Sequence, residues 1–173
     1  MPRASAWAIV GLFAGVPLAS LAQQPQVAVD VVAQCTGQIL IACPLEDAGR
    51  LLLCVDGAGF KMQYDGGEGR QVSAVSPFAA NRVTPAWNGF GSSINSGVYF
   101  DADGQDYLAW ISFDRFSAGE AGGTTAGLSL LDGDQPPHVL HCAPGAQTHA
   151  VMPLVIEDVM GEAGYVYNDA ADV

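Results

Sequence analysis

Short apolar runs, each cut off by a Gly- or Asp-rich turn after five to nine residues, set the rhythm of this chain. That rhythm excludes long helices and predicts antiparallel strands joined by tight connections. Runs over 38–43 and 50–55 flank a turn at 44–49. Phe60, Met62 and Tyr64 alternate with Lys61 and Gln63, the period of a half-buried strand. A flexible turn at 65–69 ends that run, and a weaker strand covers 71–75. The clearest hairpin joins 94–100 to 105–113 through Asp101-Ala102-Asp103-Gly104, where Gly supplies a left-handed backbone position. Its second arm carries Tyr107, Ala109, Ile111 and Phe113 on one face and Leu108 and Trp110 on the other, so a central strand is expected. Runs at 126–131 and 138–142 form a further pair.

Residues 76–93 are the longest irregular stretch, and loops of that length are functional or disordered. Trp87 and Phe90 argue that this one is packed in part and mark it as a candidate interaction surface. One helix is expected, over 151–163. Pro153 suits its first turn, Leu154, Val155, Val159 and Ala163 recur at helical spacing, and Gly164 supplies the cap. The fold class that follows is all-β: a small antiparallel barrel or sandwich of about eight strands with one C-terminal helix.

The first residues read as an export signal. Arg3 precedes an apolar run at 6–18, and Ser20 and Ala22 stand at the −3 and −1 positions of a cleavage site. Residues 1–22 are therefore expected to be removed. Residues 23–33 are then a leader or edge strand, 34–164 a single β-rich domain, and 165–173 a loose tail. No Cys follows the expected cut, so no lipid anchor is expected, and the protein is placed in the periplasm or outside the cell. Export makes Cys35, Cys43, Cys54 and Cys142 disulfide candidates. Four cysteines allow three pairings. A local Cys35–Cys43 loop with a long Cys54–Cys142 staple is favoured among them.

The 173 residues include 18 acidic and six basic side chains, a net charge of −12. That excludes a nucleic-acid binder, which needs a basic surface to displace phosphate counterions. An apolar fraction of 50% excludes a disordered acidic chain. The sequence holds no nucleophile elbow, phosphate-binding loop or zinc-protease motif, and no catalytic residue, metal or cofactor is assigned. His138 and His141 are three apart in a strand, which puts their rings on opposite faces, and His149 lies further on. Asp101, Asp103 and Asp106 offer oxygen ligands. Gly falls fourth rather than sixth in that run and no Glu stands twelfth, so a solvated turn is expected there and at Asp132-Gly133-Asp134.

Ser96-Gly97-Val98-Tyr99 resembles the Ser-Gly-x-Tyr motif of periplasmic lysozyme inhibitors from Gram-negative bacteria. The resemblance implies that Ser96 and Tyr99 sit on a loop entering the lysozyme cleft, although the strand pattern puts them inside a hairpin arm. More broadly, the stretch from Cys43-Pro44-Leu45 through Cys54-Val55-Asp56-Gly57, with 60–64 and 110–115, resembles small exported proteins of Gram-negative bacteria, a likeness that carries no mechanism. The reading expected first is an exported, non-enzymatic binding protein for a cationic partner such as a lysozyme, steered by its acid excess. The alternatives are an envelope-associated interaction domain using Trp87 and Phe90, and a hydrolase using Asp and His. Nucleic acid and membrane are not expected partners.

Overall fold

The computed structural model describes residues 35–57, 59–67, 69–85, 87, 89–117, 123–145 and 147–165. The export signal expected at 1–22, the leader or edge strand expected at 23–33 and the tail beyond Tyr165 lie outside the described residues.

Among the described residues the chain forms nine strands and one α-helix. In order these are β1 (Ile39–Pro44), β2 (Arg50–Asp56), β3 (Gly59–Gly66), β4 (Arg70–Pro77), a 3₁₀ turn (Ala80–Arg82), β5 (Ser93–Ala102), β6 (Gln105–Asp114), β7 (Thr124–Leu131), β8 (His138–His141), β9 (His149–Ala150) and α1 (Leu154–Glu162). They make two antiparallel sheets, ordered β4-β3-β2-β1-β9 and β5-β6-β7-β8. Of the two architectures expected, this is the two-sheet form and not a closed barrel. The sheets are joined by main-chain hydrogen bonds just beyond β1 and β8, where the Glu46 amide donates to the His141 carbonyl and the Ala143 amide to the Pro44 carbonyl.

The alternation read in the sequence becomes the two faces of each sheet. On β3, Phe60, Met62 and Tyr64 are buried while Lys61 and Gln63 are only half-buried. On β6, Tyr107, Ala109 and Ile111 are buried inward, and Leu108 and Trp110 are half-buried on the outer face. As expected, β6 is a central strand. One cluster of buried apolar side chains draws on both sheets and on Ile156 and Met160 of α1. The β5–β6 turn has Asp103 at φ 52° and Gly104 at φ 77°. Two consecutive left-handed residues give the two-residue connection whose twist matches the strands.

The helix begins three residues later than the sequence predicts. The Val151 amide still donates to the Leu40 carbonyl, extending the pairing of β9 with β1, so the chain turns helical only after Pro153. The far end matches expectation. Gly164 takes φ 86°, its amide donates to the Gly161 carbonyl, and the Tyr165 amide donates to the Met160 carbonyl. This pair of bonds satisfies carbonyls that the helix leaves open.

The disulfides correct the favoured pairing. Cys35 bonds to Cys54 and Cys43 to Cys142, with Cα separations of 6.3 and 5.6 Å. The reason is sheet parity. Cys43 is opposite Leu51 and shares its inward face, toward the second sheet and Cys142. Cys54 alternates with Leu51 and Leu53 and points outward, where the segment before β1 runs alongside β2. The Val55 amide donates there to the Gln38 carbonyl, and Thr36 Oγ1 donates to Asp56 Oδ1 at 2.7 Å. Cys35 therefore meets the outward thiol, and a Cys35–Cys43 bond would have to cross the sheet.

Candidate interaction surface

The second sheet has two chemically different ends, about 30 Å apart along a ten-residue strand. At one end lie the β5–β6 turn and the β7–β8 connection, with Asp101, Asp103, Asp106, Asp132 and Asp134 exposed. Asp101 and Asp106 are directly opposite across the ladder. The hydrogen bond from Asp106, with the Arg82 ion pair, holds the Asp101 carboxyl below the usual aspartate range. The same shared hydrogen bond holds the Asp106 carboxyl above it.

The other end is aromatic. Gly89 and Gly91 take φ 86° and 88°, values open to Gly without strain, and the loop before β5 doubles back there. The Trp87 indole Nε1–H consequently donates to the Phe90 carbonyl at 3.0 Å. The Trp87 amide donates to Glu157 Oε1 of α1 at 3.1 Å, tying the loop to the helix. Arg115, in the turn after β6, places its guanidinium 5.3 Å from the Trp87 ring centre and 5.8 Å from that of Phe116. Arg115 Nη1 donates to the Gly91 carbonyl, and the Arg115 amide to the Ser92 carbonyl. The Asp114 carboxylate accepts from the Phe116 amide at 3.0 Å and from Ser117 Oγ at 2.7 Å, and these bonds hold its carboxyl below the usual range. The result is a guanidinium stacked on two rings, rimmed by Asp114 and Glu157. Phe90 is 82% exposed and Phe116 74%.

Trp87 and Phe90 are thus brought together as one surface. Arg115 and Phe116 join them from the turn after β6, which the pairing of Ser93 with Asp114 brings alongside, and were not singled out in the sequence. The available signal was Arg115 lying between Phe113 and Phe116 in a chain with few basic residues.

Ser96 and Tyr99 are separated instead. Both are on β5, three residues apart, so they face opposite sides. Ser96 is buried in the inward row and its hydroxyl has no hydrogen-bond partner. Tyr99 is half-buried on the outer face. His138, His141 and His149 are all exposed. His141 meets the Trp110 ring edge-on at 5.3 Å, and His149 Nε2 lies 3.3 Å from the Ile39 carbonyl. Among the described residues no histidine pairs with a carboxylate, the geometry a hydrolase using Asp and His would need, and no three His, Cys, Asp or Glu side chains converge on a metal-sized site. No helix among them is long and apolar enough to cross a membrane.

No protein-family model, curated protein or solved structure was found to match this chain.

Proposed function

We propose that this chain is an exported, non-enzymatic interaction protein that docks a basic protein partner through Trp87, Phe90, Arg115 and Phe116. The observation that carries the reading is the exposure of Phe90 and Phe116, at 82% and 74%, around a stacked guanidinium. Exposed apolar groups gathered in one patch mark interaction surfaces. Aromatic rings and Arg are the residue types that anchor protein interfaces.

The acid excess selects the partner. A net charge of −12 steers basic proteins toward the surface and keeps copies of this chain apart. Asp114 and Glu157 at the rim meet basic side chains around the aromatic anchor. The export signal at 1–22 and the two disulfides support a periplasmic or extracellular site of action. Lysozyme inhibition by joint insertion of Ser96 and Tyr99 draws no support from residues on opposite faces. The envelope-associated alternative uses this same aromatic surface and differs in its partner.

A c-type lysozyme, being strongly cationic, is a suitable probe. The oxidised chain from Gln23 onward is titrated with it by calorimetry at about 0.01 M and about 1 M salt, between which the screening length falls from about 30 to about 3 Å. Binding is expected at low salt and weakened at high salt. The double variant Phe90→Ser/Phe116→Ser is expected to lose at least about tenfold in affinity. Failure to bind lysozyme or any of a panel of basic proteins, or unchanged binding by the double variant, overturns the reading.

A further inference from the structure

The outward face of the second sheet carries a second surface, built differently from the aromatic end. Strand register places Gly97, Trp110, Gly127 and His141 in one row across it, and Tyr99, Leu108, Ser129 and Val139 in the next. The Trp110 indole lies over Gly127: a Cβ on Gly127 would come 2.6 Å from Trp110 Cζ2 and 3.0 Å from Cε2. Gly97, on the other side of Trp110, also lacks a side chain. An indole laid along the sheet on a glycine has one ring face against the backbone, and Trp110 is half-buried. The His141 ring centre is 5.3 Å from that of Trp110 with the two planes 81° apart, and Tyr99 lies diagonally across, on the order of 7 Å away.

The rim is polar. Asn95, Ser112 and Thr125 form the row on one side of the indole. Asp101 and Asp106, with Leu131, form the row beyond Tyr99. No Lys or Arg stands in these rows, and Arg82 reaches their edge from the 3₁₀ turn to pair with Asp101.

We propose that this face binds a neutral oligosaccharide, with one pyranose ring stacked on Trp110. The face of a π-system is electron-rich, and the axial C–H groups of a pyranose present a weakly positive, apolar surface to it. A few polar groups around an apolar platform fix orientation in small-molecule sites. Here the carboxyl oxygens of Asp101 and Asp106 left over from their shared hydrogen bond and the Arg82 pair accept from sugar hydroxyls, and Asn95, Ser112 and Thr125 offer both donors and acceptors. The same carboxylates disfavour acidic sugars. A proline-rich peptide is the lesser candidate, because it docks in a groove between aromatic ridges. This face presents one flat indole.

The test uses the oxidised chain from Gln23 onward, with saturation-transfer NMR and tryptophan fluorescence. The probes are cellotetraose, maltotetraose and chitotetraose, with tetragalacturonate and a decaproline peptide as contrasts. Saturable binding of at least one neutral oligomer is expected. Trp110→Ala is expected to weaken it about tenfold or more, and Trp110→Phe and Tyr99→Ala by about threefold each. Circular dichroism and thermal unfolding check that each variant folds, and Trp110→Phe keeps the test decisive if Trp110→Ala does not. The variant Phe90→Ser/Phe116→Ser is expected to bind sugar as the parent does, which separates this site from the protein-docking end. The inference is overturned if no neutral oligomer saturates up to about 10 mM, if the folded Trp110 variants bind as the parent does, or if tetragalacturonate or decaproline binds more tightly than the neutral sugars.

Discussion

Ser96 shows how one residue can carry two incompatible meanings. In the sequence it begins a four-residue motif, and in the fold its hydroxyl sits unpartnered in the inward row of β5. A buried hydroxyl without a partner forfeits its hydration, so Ser96→Ala is expected to stabilise the protein by about 1 kcal/mol in denaturant unfolding and to leave partner binding unchanged. Gly127 is constrained in the opposite sense. A methyl there meets the Leu140 carbonyl and the Trp110 ring, so Gly127→Ala is expected to cost about 1–3 kcal/mol and lower the unfolding midpoint. Asp114 gives a pH signature. The bonds from Phe116 and Ser117 depress its folded-state pKa, so its contribution is present above the unfolded value of about 3.9 and is lost as pH falls through the lower folded value. Carboxyl NMR titration of Ser117→Ala is expected to show Asp114 moving back up toward the ordinary value, and an unmoved titration would rule out Ser117 as a cause.

Among the elements, the strands were the most legible. Period-two alternation at Phe60–Met62–Tyr64 and the two-faced run of β6 are direct consequences of pleat geometry, and both stand where expected. The two residues of β9 carry no readable period, and missing them is what put the predicted start of α1 too early. Cysteine pairing was illegible for a related reason. It depends on which face each thiol takes, and the register of β1 on β2 shifts between Ile39 and Ile41. Such a shift reverses parity and leaves no mark in composition. The Cys43–Cys142 bond spans 99 residues and joins the first sheet to the end of β8, whereas Cys35–Cys54 spans 19. Replacing Cys43 and Cys142 together by Ser is expected to cost on the order of 4–5 kcal/mol, and replacing Cys35 and Cys54 about 3 kcal/mol. Guanidinium unfolding of the two double variants checks the order, and an equal or reversed cost contradicts it.

The whole molecule is polarised, with aspartates at one end of the second sheet and a stacked guanidinium between aromatic rings at the other. Half of the aromatic end was legible, because Trp87 and Phe90 are unusual in a long loop. The other half was not, because Arg115 and Phe116 belong to a different connection and are brought in only by the pairing of β5 with β6. The most direct test of the docking reading is an amide NMR titration of the isotope-labelled, oxidised protein with a c-type lysozyme at low salt. The expected result is shifts or broadening concentrated at Trp87, Phe90, Arg115 and Phe116 and fading as salt is added. Perturbation confined to the Ser96–Tyr99 strand or to the far aspartate end, or no perturbation by any basic protein, would contradict it.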